Sequence, residues 1–323
     1  MISVCMGIYN GEKYIEEQLH SILHQTLPPS QVILCDDGSK DNTVSIVQAF
    51  IQNNGLEDCW KLYRNEQNKG YPDNFYYAMS LCKEKYVFLA DQDDIWESHK
   101  LERMAAIMEA NSQVKAVSCK FGLIDAEGGD IHTLMAPTQN RGTGSTRNVS
   151  CEDVFYKCEW PGMVLAYRRE WYEEKYNRWL AHSMIQEGIY PKIPHDFLIC
   201  AWGAEDGGFL QLDEELAWHR RHDSNTGGEE HRLAKLLNRD RKLAEIENYN
   251  RIWDAFDRLR IMESAEGRQA LEDKKRVMRE RYEALFSGSV RKVAVNAWRN
   301  RKFTRGATVV CDLVIACKKG RKS

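Results

Sequence analysis

The sequence lacks the runs and spacings that mark several classes of protein. Its longest late apolar run, 309–317, is interrupted by Asp312 and falls short of the roughly 20 residues that a membrane-spanning helix needs. Its ten cysteines include no C-x-x-C pair and no metal-ligand spacing, so we expect reduced thiols. The net charge of −3 argues against a protein that binds nucleic acid along its whole length.

The N-terminal residues also lack a targeting signal. Residues 1–8 show neither the basic lead nor the cleavage site of a signal peptide. With 43% hydrophobic and 29% charged residues among 323, the composition is typical of a globular protein that builds its core without disulfides. We therefore expect a folded protein of the cytoplasm.

The first 120 residues alternate between strand-like apolar runs and segments with apolar residues at helical spacing. The predicted strands are 2–8, 32–35, 60–63, 86–90 and 116–119. Repeated β–α units predict an α/β fold with a mainly parallel sheet flanked by helices, whose ligands bind at the carboxyl ends of the strands. From about residue 229 the chain is charged and helical, so we expect a domain over 1–225 and a helical extension over 226–323.

Three polar motifs follow predicted strands, at Gly7–Gly11, Asp36–Ser39 and Asp91–Asp94. Alone, the second motif favours a turn with a helix cap, and the third a polar turn before a helix. Together they should converge on one sheet edge, where crowded carboxylates repel each other unless a cation lies among them. The sequence therefore predicts a ligand site there.

The D-x-D pair Asp91 and Asp93 brings two carboxylates near one hard cation. Mg²⁺ and Mn²⁺ prefer oxygen ligands, and Mg²⁺ is commonly held by one or two carboxylates and substrate phosphates. The chain contains neither G-x-x-x-x-G-K-[ST] nor G-x-G-x-x-G, which disfavours a P-loop or a dinucleotide site. A metal-bound diphosphate without a P-loop suggests a nucleotide-sugar.

Several segments resemble family 2 glycosyltransferases. They are 2–11, Ser21–Thr26, Asp36–Thr43, Asn65–Gly70 with Asn74, and Phe88–Trp96. The Asp-Gln-Asp-Asp-Ile-Trp sequence is similar to the bacterial rhamnosyltransferase-type branch, which builds surface polysaccharides. The resemblance is close over about 1–120 and thinner through 225.

The resemblance implies a Rossmann-like GT-A fold and an inverting transfer from a UDP- or dTDP-sugar, with Mn²⁺ or Mg²⁺ as cofactor. The nucleotide-binding residues it implies are Gly7, Tyr9, Asp36, Asp37 and Asp91. Asp37 is the first choice for reading the base and Asp36 the second. Asp91 would lie near the ribose, and Asp93 is the strongest metal ligand, with Asp91 beside it.

Transfer also needs a base, because the acceptor hydroxyl loses its proton as the sugar moves. His195-Asp196 lies about 100 residues after the D-x-D pair, before an apolar helix. Alone, Asp196 would be a helix N-cap. The matching position in the family carries the general base, so the resemblance implies that role for Asp196. An HD phosphohydrolase is disfavoured because its other metal histidines are not evident.

Residues 218–225 resemble the family's Tyr-Arg-x-His-x-x-Asn segment, with His219 in place of the tyrosine. The resemblance implies that Arg220 or Arg221 neutralises the diphosphate and that His222 completes the metal site. Such charges stabilise a departing nucleoside diphosphate. Without the family context, the segment is a solvated basic turn.

The C-terminal residues 290–323 carry ten basic residues and one acidic residue, so their net charge is +9 against −12 for the rest. Aromatic and apolar residues among them, such as Trp298, favour a segment that lies on an anionic membrane surface. The alternative is a tail that is solvated or packs on the acidic body. We expect a peripheral enzyme on the inner face of the cell membrane.

These patterns together predict a metal-dependent glycosyltransferase with a saccharide or lipid-linked acceptor. It would act in the synthesis of capsule, O-antigen or exopolysaccharide, and no nucleic-acid partner is expected. Two alternatives stay open, a non-catalytic nucleotide-sugar-binding member of the same fold and a nucleotidyltransferase. Release of a nucleoside diphosphate marks the enzyme, and release of pyrophosphate marks the nucleotidyltransferase.

Overall fold

The computed structural model describes residues 1–130, 142–157, 160–182, 192–222, 237–304 and 306–319. The chain forms two compact units. Within the described residues, the first unit comprises 1–150, 160–181 and 192–221, and the second comprises 151–157, 182 and the residues from 222 onward. The predicted boundary between 225 and 226 lies outside the described residues and stays a prediction.

The first unit is built on one nine-stranded sheet. Its strands are β1 (Ile2–Ile8), β2 (Gln31–Asp36), β3 (Trp60–Arg64), β4 (Tyr86–Asp91), β5 (Ile95–Trp96), β6 (Ala116–Ile124), β7 (Thr146–Asn148), β8 (Leu165–Arg168) and β9 (Phe209–Arg220). Their order is β3-β2-β1-β4-β8-β6-β9-β5, and β7 also pairs with β9.

The sheet is parallel where the β–α repeat predicts it and mixed beyond. Strands β3, β2, β1 and β4 are all parallel neighbours. β8 runs antiparallel between β4 and β6, whereas β6 and β9 are parallel. The α/β class is thus confirmed, and the strands β5, β7 and β8, which each have an antiparallel neighbour, are not among the strands that the sequence predicts.

Helices cover this sheet because their apolar residues recur on one face. They are α1 (Ile15–Leu23), α2 (Thr43–Asn53), α3 (Tyr71–Ser80), α4 (Lys100–Ala110), α6 (Arg169–Leu180) and α7 (His195–Glu205). In α1, for example, Ile15, Leu19 and Ile22 are fully buried. Residues 86–90 of β4 are likewise buried on both faces, as central parallel strands are.

The second unit is helical, as predicted for the C-terminal extension. Its helices are α5 (Cys151–Lys157), α8 (Arg239–Arg258), α9 (Ala265–Ser287), α10 (Val290–Arg299) and α11 (Gly306–Lys319). Side chains of Asn238, Ser264 and Ser289 cap α8, α9 and α10 by accepting backbone N–H bonds. Across the described ranges, every helix is too short or too polar to cross a membrane.

Candidate active site

The three polar motifs converge at the carboxyl ends of β1, β2 and β4, as the sequence predicts. Gly7 of β1 lies in register with Cys35 on one side and Asp91 on the other. Gly7 packs closely against α3, since a Cβ there would lie 3.1 Å from Cε2 of Phe75 and would force the ring to shift. Tyr9 and Asp37 are the first residues after β1 and β2 and lie in the loops at this edge. The Tyr9 side chain is exposed.

Asp36 shapes the loop that follows β2. The side chain is buried, and its carboxylate accepts from the backbone N–H groups of Gly38 and Ser39 at 3.2 Å. Nε of Arg64 lies 3.3 Å from the same carboxylate. Asp36 therefore makes the turn that the motif favours when considered alone, and it does so without capping α2, whose N-cap position is Asn42.

Asp37 connects the β2 loop to the segment before α3. Its buried carboxylate accepts from the backbone N–H groups of Lys69 and Gly70 at 2.8 Å and from Nδ2 of Asn65 at 2.9 Å. Asn65 in turn donates to Asn74, which lies in α3. Two segments of the family resemblance, Asp36–Thr43 and Asn65–Gly70, thus meet at the Asp37 carboxylate.

The D-x-D-D segment places three carboxylates at the end of β4. Asp94 is fully buried, and its Oδ1 accepts from Nδ1 of His219 and from the backbone N–H of Arg220, each at 3.0 Å. Its Oδ2 is buried and has no hydrogen-bond partner among the described residues. Burial, followed by the charges of Asp94 and Asp93, raises the pKa of Asp91 well above its ordinary value. Burial also raises the pKa of Asp94.

β9 supplies the basic residues behind this cluster. Burial alone lowers the pKa of His219, but the hydrogen bond and charge of Asp94 outweigh it, so the pKa is raised. The guanidinium of Arg220 is buried, donates to the backbone oxygens of Asp93 and Ala126 at 3.0 and 3.2 Å, and pairs with Glu17 at 2.5 Å. The sequence does not reveal that this arginine braces the backbone of the D-x-D-D segment.

Arg221 and His222 directly follow β9 in the chain. Arg221 is exposed, and its backbone N–H donates to Ile124 at 2.8 Å. His222, expected at the metal, belongs to the second unit. His219 contacts the carboxylate cluster through Asp94, the role of His222 stays a prediction, and residues 223–225 of the motif lie outside the described residues.

Asp196 lies in the first turn of α7, whose N-cap position is Pro194, so Asp196 does not cap this helix. Its carboxylate accepts from the backbone N–H of Phe197 at 2.8 Å. Burial raises the pKa of Asp196 to about 6, and the backbone N–H groups of Phe197, Asp196 and Gly162 limit the rise. Its charge raises the pKa of Asp91, so the two carboxylates share one electrostatic environment.

His195, the first residue of α7, packs against α3. The imidazole is buried and stacks on Phe75 with 4.1 Å between ring centroids. Within the described part of the chain neither ring nitrogen has a hydrogen-bond partner, and burial lowers the pKa to about 3. His195 is therefore neutral, and Asp196 is the member of this pair that carries charge near pH 7.

The carboxylates are suited to a divalent cation whose remaining ligands come from a substrate. The described residues contain no group of three or more His, Cys, Asp and Glu side chains placed to hold a metal alone. Asp91 and Asp93 supply carboxylates in a crowded and partly buried setting, where added positive charge relieves the repulsion. This donor set matches Mg²⁺ or Mn²⁺ bound through one or two carboxylates and phosphate oxygens.

Comparison with known sequences identifies the family. The family model described as glycosyl transferase family 2 matches residues 3–180. An uncharacterized glycosyltransferase of Nostoc is 29% identical over 231 residues, which are 69% of this chain and 66% of that protein. The UDP-Glc:alpha-D-GlcNAc-diphosphoundecaprenol beta-1,3-glucosyltransferase WfgD of Escherichia coli is 32% identical over 112 residues, 35% of this chain and 42% of that protein. The matches thus span about two thirds and under half of these relatives' lengths.

A solved structure confirms the fold. The mannosyltransferase PcManGT of Pyrobaculum calidifontis, in complex with GDP-Man and Mn²⁺, superposes with a TM-score of 0.51. The likeness covers 100% of this chain and 87% of that chain at 17% sequence identity. The first unit accordingly has the GT-A fold that the sequence resemblance implies.

Proposed function

The chain belongs to glycosyl transferase family 2, and we propose that it is an inverting, metal-dependent glycosyltransferase. It moves a hexosyl or rhamnosyl group from a UDP- or dTDP-sugar to a saccharide or lipid-linked acceptor in surface polysaccharide synthesis. One observation carries this proposal. Phe75, which packs against Gly7 at the donor edge, stacks on His195 with 4.1 Å between ring centroids, so the next residue, Asp196, lies close to that edge.

The donor nucleotide lies along the carboxyl ends of β1, β2 and β4 in this proposal. Gly7 and Tyr9 contact the base and ribose, Asp37 reads the base, with Asp36 as second choice, and Asp91 lies near the ribose. The hydrogen bonds of Asp37 to Lys69 and Gly70 support this assignment, because they fix the loop around the base. The named donors of the relatives, UDP-Glc and GDP-Man, support a nucleotide-sugar as ligand.

Asp93 would hold the divalent cation, with Asp91 beside it and with His222, which the sequence motif indicates, as the third ligand. The bound ion supplies positive charge at the diphosphate, where negative charge develops as the bond to the sugar breaks. Mn²⁺ in the similar mannosyltransferase supports this choice of cofactor. Arg221, which is exposed at the end of β9, is the arginine available to the diphosphate, whereas Arg220 acts by bracing the backbone of Asp93.

Asp196 accepts the proton of the acceptor hydroxyl. A base works best with a pKa near the working pH, because it is then deprotonated yet still basic. A pKa of about 6 meets that condition, and an ordinary exposed aspartate does not. The sugar is attacked from the face opposite the leaving nucleotide, so its anomeric configuration inverts.

The exposed face of α10 attaches the protein to an anionic membrane in this proposal. Val290, Val295 and Trp298 are 40%, 42% and 69% exposed, whereas Val293 points inward and is buried. At helical spacing Arg291 lies within this face, between Trp298 and Val295, and Arg299 lies beside it. Apolar and aromatic side chains with basic neighbours suit the headgroup region of a bilayer. Such attachment would bring the enzyme close to a lipid-linked acceptor, as in the name of the E. coli relative.

A panel of UDP- and dTDP-sugars, with Mn²⁺ and with EDTA, tests the function. The enzyme is expected to be stabilised thermally by one donor only with Mn²⁺ and to release the nucleoside diphosphate from it. Pyrophosphate as product identifies a nucleotidyltransferase instead. Binding without product, in the presence of membrane extract as acceptor source, identifies a non-catalytic binding protein.

A further inference from the structure

Lys100, the first residue of α4, is a lysine without exposed surface next to the carboxylate cluster. Its ammonium lies over the ring of Trp96, 3.7 Å from the centroid, and donates to the backbone oxygen of Met163. Among the described side chains no carboxylate lies within ion-pairing distance of it. Burying a lysine without such a partner costs free energy, so another interaction or role must offset the burial of Lys100.

The carboxylates of the donor edge keep this lysine charged. Burial lowers the pKa of Lys100 to about 8, and Cys119, Asp94 and Asp91 counteract that fall. The side chain therefore stays an ammonium near pH 7. A cation at this position offsets part of the repulsion that Asp91 and Asp94 exert on each other.

The oxygen that Lys100 binds belongs to a short 3-10 turn, Gly162–Val164. The backbone N–H of Gly162, the first residue of this turn, favours the charged form of Asp196 and so limits the rise of its pKa. A Cβ on Gly162 would lie 3.2 Å from Nε2 of His195, so the turn also packs closely against the residue before Asp196. One turn thus connects the buried ammonium to the carboxylate of the proposed base.

We infer that Lys100 is a positioning residue for Asp196, a role that rests on the proposed function. It holds the Gly162–Val164 turn through the oxygen of Met163, and the turn directs the Gly162 N–H to the Asp196 carboxylate. A neutral side chain of the same shape fills the space but cannot donate to Met163. Lys100 therefore links the carboxylates of the donor edge to the base that faces the acceptor.

The first test compares the full chain with Lys100→Met, which keeps the length of the side chain and removes the charge. The pKa of Asp196 is followed by carboxyl ¹³C NMR, with the resonance assigned through Asp196→Asn. The pKa is expected to rise by about 0.5 to 1 unit, because both the ammonium and the fixed N–H favour the charged carboxylate. With UDP-glucose as donor and membrane extract as acceptor source, kcat is expected to fall about tenfold with little change in the donor KM, as for a displaced catalytic group.

A second pair of variants examines the turn itself. Gly162→Pro removes the backbone N–H that favours the charged form of Asp196, and Gly162→Ala adds the same Cβ but keeps the N–H. Pro161 has φ −64° and ψ 158°, a conformation that a following proline accepts. The pKa of Asp196 is expected to rise in Gly162→Pro and to stay closer to wild type in Gly162→Ala.

The controls separate positioning from structural support. Lys275→Met, at a buried lysine of the second unit, is expected to lower the melting temperature without moving the pKa of Asp196. If Lys100→Met changes only the melting temperature and leaves the pKa of Asp196 and kcat unchanged, the positioning role is wrong. If Lys100→Met moves that pKa while Asp196→Asn keeps full turnover, the positioning stands and the proposed base is wrong.

Discussion

The side-chain amide of Gln92 exchanges two hydrogen bonds with the backbone of Tyr9. Its Oε1 accepts from the Tyr9 N–H and its Nε2 donates to the Tyr9 oxygen, each at 2.9 Å. The middle residue of the D-x-D motif therefore holds the loop after β1 beside the loop after β4. This clamp keeps Tyr9 in place at the edge where the nucleotide is proposed to bind.

Gln92→Ala is expected to weaken nucleotide binding while the fold remains. Two backbone hydrogen bonds at about 1 kcal/mol each would fix the loop, so their loss should raise the Kd for UDP with Mn²⁺ by up to about 30-fold. Isothermal titration calorimetry measures the change, with Gln113→Ala, an exposed glutamine, as the control. An unchanged Kd in Gln92→Ala means that the clamp does not shape the nucleotide site.

Asp93→Asn is expected to abolish metal-dependent turnover and to leave the melting temperature near that of wild type. The amide keeps the shape but loses the charge that attracts a divalent cation. Turnover of the donor is measured with Mn²⁺ and with EDTA. Asp58→Asn, an exposed carboxylate before β3 at the opposite end of the strands, serves as the control and should behave like wild type. Equal stimulation by Mn²⁺ in Asp93→Asn and in wild type would contradict the assignment.

The pH dependence of kcat is expected to follow the Asp196 carboxyl. Burial raises its pKa from 3.8 to about 6, and only the deprotonated form accepts a proton. At saturating donor, kcat should therefore be level above about pH 6 and fall tenfold per unit below it. Asp196→Asn should lower kcat by about 10²–10⁴ and leave the donor Kd little changed. A wild-type profile without a break near pH 6, or an Asp196→Asn variant with nearly full kcat, speaks against the base.

The double change Val295→Ser with Trp298→Ser is expected to reduce membrane binding. It removes exposed apolar side chains from α10 and keeps the basic residues around them. Co-sedimentation with phosphatidylglycerol vesicles at low salt measures the effect, and added salt should weaken binding of the wild type through screening. Leu27→Ser, which removes an exposed apolar side chain from the first unit, is the control. Equal binding of wild type and the α10 variant would show that α10 is not the anchor.

Local patterns of the sequence predict the donor edge but not the contacts behind it. The strands before Asp36 and Asp91 are recognisable because their apolar residues are adjacent in the chain, and parallel pairing then brings their ends together. Lys100 looks like an ordinary charged residue at a helix start, since nothing local shows that it is buried. Its bond to Met163 spans 63 positions, and that between His219 and Asp94 spans 125.

At the site, too, some features follow from the local sequence and others depend on residues far apart in the chain. The turn made by Asp36 follows from its own motif, because the acceptor and its N–H donors are two and three residues apart. The pKa of Asp196 depends on burial beneath a turn that is distant in the sequence. The family resemblance points to Asp196, whereas its spacing alone suggests a helix cap. The antiparallel strands β5, β7 and β8 carry too few residues for a periodic pattern.

The anomeric configuration of the first-formed product tests the central claim most directly. Proton NMR of the transfer reaction, run with Mg²⁺ and the donor of the panel that is turned over, reports the configuration before mutarotation or further reaction. Direct attack by an acceptor that Asp196 deprotonates should give a β-linked sugar from an α-configured donor such as UDP-glucose, together with UDP. A product that retains the α configuration, or pyrophosphate in place of UDP, would contradict the proposed mechanism.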